Sequence, residues 1–462
     1  MNYITTRIRH AFTEGESCLQ IAWYWVPEII SAVVLFSFPA MIDSWIVSQL
    51  GSATLFGAVG MGSNFLHVLI KLAESIPVAG MAIIGRHNGA REYEKCGEGL
   101  ADSFWTTFIL GLSQFLFIFL GAHAIYRWLN VPAEMVAFGA PFLQLKSLGV
   151  FFIFITLGLL GFIRGVKNTL VPMALNIAGL VAFVFFDYAL VLGAFGFPQY
   201  GIMGSAMATI IQYAVMNIGA LWFILANPEY KKYFAVVFFT IFDIKGILKL
   251  LNLSWRIMID KSTISLAYIW LAKMLAPMGS YAIASFDVVK NLERATFVPV
   301  IAAAQIITFL VSNRLGARDI SGAYANIKKL YIMTTLVLFV TVIALLTNTT
   351  YFVSIFDPKN SFTELAAAVL PAISIFVFFD FSQVFLAGAL RGAGDVKIVM
   401  WTRVLVCGFF FVPISYMFST MPGIPDVLRF ILVYSSFYVA TGIIGLIYLY
   451  RIKSHAWHRH II

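Results

Sequence analysis

Residues 38–52 read FPAMIDSWIVSQLGS: a proline near the start of an apolar helical run, one carboxylate, Asp43, a turn later, and a Gly-Ser turn at the end. An ionised carboxylate at bilayer depth costs several kcal/mol, so such a residue faces a polar interior or binds something. Asp43 is therefore the first candidate functional residue. The turn Leu50-Gly51-Ser52-Ala53 returns later as Met278-Gly279-Ser280-Tyr281-Ala282. The chain repeats itself.

The surrounding composition sets the class. Of 462 residues, 61% are hydrophobic and 11% charged, and the mean hydropathy is +0.89; soluble domains carry about 25% charged residues. The chain is a polytopic membrane protein. Its first twenty residues, MNYITTRIRHAFTEGESCLQ, lack the short apolar core and small-residue cleavage site of a secretory signal, so the first span is expected to be retained. Cys18, Cys96 and Cys407 stand apart without metal-ligand spacing and read as structural. The net charge of +9 is spread thinly between apolar runs, which signals topology rather than nucleic-acid binding. No GxxxxGK[ST] phosphate loop occurs, so transport is expected to run on an ion gradient, with no cofactor beyond the coupling ion.

At about 20 residues per span, the sequence predicts an all-α membrane protein with twelve transmembrane helices, at 25–48, 59–85, 101–124, 139–163, 170–194, 202–226, 254–276, 279–312, 329–347, 365–390, 398–419 and 427–450. Arg86, Arg91, Lys95, Arg164, Lys167, Lys231, Lys232, Lys245, Lys249, Arg314, Arg318, Lys328, Lys329, Arg391 and Lys397 fall in alternate connections, on the side of both termini. Arg127 and Lys359 are nearly alone on the other side. The positive-inside rule then places both termini in the cytoplasm; a bacterial inner membrane is the expected location. The repeat recurs at offsets of 228, 227 and 227 (279 − 51, 316 − 89 and 391 − 164). Six spans per half is an even number, so the two pseudosymmetric six-helix lobes run parallel. The predicted division is an amino-terminal lobe 1–226, a cytoplasmic linker 227–252 carrying an interfacial amphipathic helix, a carboxy-terminal lobe 253–450 and a cytoplasmic tail 451–462.

In order and spacing, these motifs resemble the multidrug and toxic compound extrusion (MATE) family of secondary antiporters over nearly the whole chain. The residues carrying the likeness are Ile42-Asp43-Ser44, Arg86-His87-Asn88-Gly89-Ala90, Arg164-Gly165 to Pro172, Asp187-Tyr188 through Gly193, Gly201-Ile202-Met203-Gly204 and Ala208-Thr209. In the second half they are Asp380 to Gln383 and Ala387-Gly388-Ala389-Leu390-Arg391-Gly392. The resemblance implies a monomeric twelve-helix exporter that exchanges sodium ions or protons for organic, usually cationic, compounds. It implies Asp43 and Asp187 as amino-lobe coupling carboxylates, with Thr209 near them. Asp380 would be the carboxy-lobe cation-site carboxylate and a sodium ligand. Two positions depart from the family pattern: Phe183 stands where an Asn often precedes the helix 5 Asp, and the helix 7 Glu is absent, with Ile264 at its place and Asp260 one turn earlier.

The carboxylates also stand without the family. Burial favours the neutral form of a carboxyl, so Asp43, Asp187 or Asp380 can hold a proton and release it to an arriving cation. One group then serves two competing cations, the physical basis of antiport. The other reading makes them buried residues bonded to hydroxyls, holding helices together. Asn64, His67, Lys71 and Glu74 share one helical face, as do Asp287, Lys290, Asn291 and Arg294, with Glu293 beside them. Two readings stay open for these stripes: structural salt bridges lining a cleft between lobes, pairing Lys71 with Glu74 and Lys290 with Asp287 or Glu293, or a polar surface for a charged substrate. Asp260 and Lys261, adjacent, point in different directions, so at least one needs a partner from another helix. Lys146 and Arg403, near span ends, are expected to snorkel without a role. Pro39, Pro77, Pro172, Pro299, Pro371 and Pro413 invite kinks, and two readings stay open for Pro39: a bend that opens or closes access to Asp43, or plain helix curvature.

Other classes fit less well. A variant within the transporter class exports a polar or anionic metabolite or a lipid-linked precursor, in keeping with the cations of the two stripes. A membrane prenyl transferase needs DDxxD-like clusters, which are absent. A channel would ring its charges rather than scatter them.

Overall fold

In hydrocarbon every backbone polar group must be satisfied within the protein itself, which leaves an apolar chain of this kind only helices or a closed barrel. The computed structural model, which describes residues 14–36, 38–128, 132–233, 242–355, 363–454 and 456–457, is helical, with no strand among them. The first half holds α1 (Cys18–Phe36), α2 (Phe38–Ser48), α3 (Ala53–Ala73), α4 (Ser75–Gly89), α5 (Tyr93–Trp128), α6 (Ala133–Gly165), α7 (Leu170–Leu192) and α8 (Ile202–Ala226). The second holds α9 (Ile244–Leu275), α10 (Ser280–Gly316), α11 (Ile320–Thr347), α12 (Thr349–Ser354), α13 (Thr363–Ser374), α14 (Val377–Gly392), α15 (Val396–Val406), α16 (Val412–Thr420) and α17 (Asp426–Lys453). Among the described residues nine spans are long and apolar enough to cross a membrane, ten if the bent pair α13–α14 counts as one. The two further predicted spans fall on α3 with α4, which part at Glu74, and on α9, whose charges at Arg256, Asp260, Lys261 and Lys273 dilute its apolar run.

Trp23–Trp255 form one compact unit; Arg256–Ile462, with the segment up to Ala22, form the other. In the first, α6 packs on α4, α5 and α8 around Leu159, Phe162 and Ile163, and Tyr230 and Tyr233 of the short turn Pro228–Tyr233 join that core. The predicted linker thus begins in this turn, and its end, from Ile244, is the start of α9. Residues 234–241, where most of the expected amphipathic helix falls, lie outside the described residues. In the second unit Glu16 is buried: its carboxylate accepts from Arg314 Nε at 2.9 Å, its amide donates to Asn326 Oδ1 at 2.9 Å, and Lys329 Nζ donates to its carbonyl at 2.8 Å. Gly15 is required there, since at φ 72° a Cβ would stand 2.5 Å from Asn326 Oδ1.

The repeat is written into the backbone. Arg91 and Arg318 take left-handed φ of 61° and 59°, Lys167 and Gly394 take 65° and 84°, and Gly51 and Gly279 take 65° and 97°. The first four close helices in the same way: the left-handed residue and its successor donate to the last turn, as in Lys167 to Arg164 and Asn168 to Ile163, or Gly394 to Arg391 and Asp395 to Leu390. A side-chain pair recurs as well, His87 with Glu92 at 2.7 Å and Arg314 with Asp319 at 2.7 Å.

Only some prolines lie at helix breaks, since α10 runs through Pro299 and α6 through Pro141. Pro39 lies in the first turn of α2, where its missing N–H costs nothing. Pro371 lies in α13, which meets α14 at 53°. A single π turn, Cys407–Phe411, precedes Pro413.

Candidate functional site

In the amino-terminal unit α2 carries Asp43 against α7 and α8. Its Oδ1 accepts from Ser205 Oγ at 2.6 Å, and Lys146 Nζ of α6 lies 3.3 Å from Oδ2. Thr209, one turn beyond Ser205 on α8, spends its hydroxyl on the Ser205 carbonyl at 3.0 Å, and its methyl fills the space left by Gly149 of α6. Asp187 of α7 is fully buried, and neither of its carboxyl oxygens has a hydrogen-bond partner among the described residues. Asp43 and Lys146 act on it electrostatically. Phe183, one turn earlier, is buried and offers no hydrogen bond, so the departure noted in the sequence leaves Asp187 without that support. Elsewhere in this unit Glu28 of α1 is buried against Arg164 in the last turn of α6, Oε1 to Nε 2.6 Å.

The carboxy-terminal unit is built around Asp260 of α9, fully buried between two guanidinium groups, Arg391 of α14 and Arg403 of α15. Arg403 also donates to Gln383 Oε1 at 2.6 Å, and Gln383 Nε2 donates to Asp380 Oδ1 at 2.8 Å. One polar chain therefore runs from Arg391 through Asp260, Arg403 and Gln383 to Asp380. Asp380 lies in the first turn of α14, just past the 53° bend, where the helix dipole favours negative charge. Glu293 of α10 is buried, accepts from Tyr434 Oη of α17 at 2.6 Å and is close enough to Asp380 to act on it.

The expectation that Lys146 and Arg403 snorkel without a role is overturned. Arg403 is 2% exposed and Lys146 12%, because each leaves its helix toward an acid of its own unit rather than toward the helix end. Asp260, adjacent to Lys261 in the sequence, does find its partners on other helices, as expected. Lys290 pairs with Asp287 at 2.6 Å, in a partly exposed i,i+3 contact, and not with Glu293. Arg294 is exposed on α10 and acts electrostatically on Tyr268. Glu74 is half-buried at the α3–α4 break, while the side chains of Asn64, His67 and Lys71 lie outside the described residues. The three cysteines are free, and no cluster of metal-ligating side chains occurs among the described residues.

The MatE family model matches residues 29–189 and again 257–417, the two halves that the repeat marks. The chain belongs to the MatE family. It is 23% identical over 399 residues to the multidrug resistance protein NorM of Photobacterium profundum, covering 85% of each chain, and 24% identical over 412 residues to a probable NorM of Thermotoga maritima, covering 83% of this chain and 86% of that one. Among solved structures, a MATE protein in the straight conformation superposes with a TM-score of 0.84 at 17% identity, covering 96% of this chain and 98% of that chain. A MOP superfamily transporter from Pyrococcus furiosus, described as having a binding pocket of reversed polarity, gives 0.84 at 16% identity with the same coverage. The fold is thus the MATE fold, all-α and integral to the membrane, in keeping with twelve helices in two six-helix lobes.

Within this MatE chain, sequence reasoning passed over Glu28 and Ser205, read Gln383 only as part of a motif, and gave Lys146 and Arg403 no role. Four of these carried a usable signal, since ionisable and amide side chains inside apolar spans seek partners there. Ser205 carried none, because serine is common in such helices.

Proposed function

We propose that the chain is a secondary antiporter that exports organic, chiefly cationic, compounds in exchange for protons or sodium ions. The observation that carries this reading is a parallel between the halves. Each unit holds an ion-paired network, Asp43 with Lys146 in one and Asp260, Arg391 and Arg403 in the other, together with one buried carboxyl that has no ion-pair partner among the described residues: Asp187 and Glu293. A buried carboxyl outside an ion pair is satisfied by a proton or by an arriving cation. Two cations that exclude each other at such a group, each favouring a different conformational state, exchange across the membrane. Asp43 and Asp380 then serve as the charged neighbours through which occupancy is felt, and the bend beside Asp380 is the element that responds. The NorM names of the relatives support export of drug-like compounds.

The test is reconstitution into liposomes, with sodium and pH gradients imposed separately while a fluorescent organic cation is followed. Uptake driven by one of the gradients is expected. Ion flux that needs no counter-substrate would mean a channel; movement of anionic compounds alone would mean the reading in which a polar or anionic metabolite or lipid-linked precursor is exported. For orientation we propose cytoplasmic termini in a bacterial inner membrane, on the alternation of basic connections. External thiol labelling should spare cysteines placed at 231 and 453 and mark one at 199; strong labelling at 231 would reverse the topology.

A further inference from the structure

A pocket of about 260 Å³ opens in the amino-terminal unit between the turn that joins α6 to α7 and the turn Pro228–Tyr233. Lys167, Asn168, Tyr230 and Lys232 line it, with Glu229 as its acid and Trp23 of α1 on its apolar side. The transport reading makes no use of it.

The second repeat supplies an internal comparison. At the offset of 227, Lys167 corresponds to Gly394, Asn168 to Asp395, Ile224 to Arg451 and Tyr230 to Trp457. The correspondence is structural as well, since α6 and α14 end at Gly165 and Gly392, α8 and α17 end at Ala226 and Lys453, and both turns share one hydrogen-bond pattern. In the carboxy-terminal unit this place is closed by an ion pair: Asp395, 3% exposed, accepts from Arg451 Nε at 2.7 Å, and the left-handed position is a glycine. In the amino-terminal unit the acid is gone. Asn168 is neutral, donating to Tyr230 Oη at 3.2 Å and accepting from the Val171 amide at 3.1 Å.

Lys167 replaces the glycine at φ 65°, where a Cβ is penalised and glycine is not. A lysine kept in a strained place that the sister repeat gives to glycine points to a side chain in use. Lys232, which lines the same pocket, is oriented by two rings, its Nζ 5.2 Å from the Tyr93 ring centre and 5.0 Å from that of Tyr233. Burial pushes the Tyr230 hydroxyl up to about 12, and since its oxygen accepts from Asn168, its own proton is left to donate.

We propose that this pocket binds a phosphate group, with Lys167 and Lys232 supplying the charge and Tyr230 a neutral donor, so that an external anion stands where the other repeat keeps Asp395. The phosphate can come from an anionic lipid headgroup or from solution. Trp23 and Leu170, 63% and 40% exposed beside the pocket, offer the apolar surface along which acyl chains would lie.

The test measures the rise in Tm of the detergent-solubilised full chain on titration with short-chain phosphatidylglycerol, with phosphatidylcholine of equal chain length, and with inorganic phosphate. The anionic lipid should raise Tm at lower concentration than the zwitterionic one. Its midpoint should move up about fivefold in Lys167→Gly and in Lys232→Gln. It should stay in place in Lys231→Gln, which loses the same charge outside the pocket. Lys167→Gly relieves the left-handed backbone, so its ligand-free Tm should equal or exceed that of the wild type, and misfolding cannot explain its loss of binding. Protection by inorganic phosphate with the same residue dependence would make free phosphate the ligand; protection by the lipid alone would make it the headgroup. Equal midpoints in the wild type, Lys167→Gly and Lys232→Gln, or no protection by either compound, would overturn the proposal.

Discussion

Lys146 Nζ lies 3.3 Å from one oxygen of Asp43 while Ser205 Oγ holds the other at 2.6 Å, so a carboxylate on α2 is clamped from α6 and α8. Both charged side chains are largely buried, and removing one strands the other. Lys146→Met should therefore lower stability by about 3–5 kcal/mol, and adding Asp43→Asn should recover much of that loss. Melting of the two single variants and the double variant in detergent forms the cycle. Additive losses would show that the two groups do not depend on each other.

Asp260 is predicted to be structural rather than a coupling residue. Two guanidinium groups face it in the interior, and Asp260→Asn leaves both without their shared counter-charge, at a cost of at least about 3–5 kcal/mol. Arg403→Lys should fail to substitute, because one ammonium cannot reach both Asp260 and Gln383 as the planar fork does. The measurement is folded yield and Tm. An Asp260→Asn protein of normal stability that has lost only transport would move Asp260 to the coupling machinery.

How much of this was legible in the sequence depends on the range of the interaction. Spans and repeat were legible because hydropathy and the recurring Gly51-Ser52, Gly89-Ala90-Arg91 and Arg164-Gly165 turns are local signals, and the three pairs of left-handed residues that match between the halves, Gly51 with Gly279, Arg91 with Arg318 and Lys167 with Gly394, fall on those turns or their counterparts, or within two residues of them. Asp43, Asp187 and Asp380 stood out as acids in apolar runs. Their partners did not, since Asp43 meets Lys146 across 103 positions and Asp260 meets Arg403 across 143, and no local pattern records such a pairing. Lys146 and Arg403 were misread for one reason: distance from a helix end says how far a long side chain must reach for water, but not that an acid stands nearer.

Asp380 is predicted to act in cation coupling. It begins α14 past a bend, is held by Gln383 at 2.8 Å and is linked through it to Arg403. Asp380→Asn keeps the shape and the hydrogen bond while removing the charge, so ion-driven transport should fall at least about tenfold, the loss of one charge-assisted contact, with melting little changed. Gradient-driven uptake at the wild-type rate in this variant would remove Asp380 from the mechanism.

Asp319 provides a pH-dependent anchor outside the spans. It caps α11: its Oδ1 accepts from the Gly322 amide at 2.8 Å and from Ser321 Oγ at 3.0 Å, and Arg314 Nη1 donates to Oδ2 at 2.7 Å. Burial alone would raise this carboxyl, but the Gly322 amide, the Arg314 guanidinium and the Ser321 hydroxyl outweigh it and hold the group below the ordinary aspartate range. A carboxyl lowered in the folded state contributes stability that is complete above its unfolded value of about 3.9 and is lost as pH falls through the lowered folded value. Asp319→Ala should thus cost about 1 kcal/mol at neutral pH, as the loss of a helix cap does. The gap in Tm between variant and wild type should then narrow as pH falls below about 4. A gap of constant size from neutral to acid pH would show that the carboxylate's charge contributes nothing to the cap.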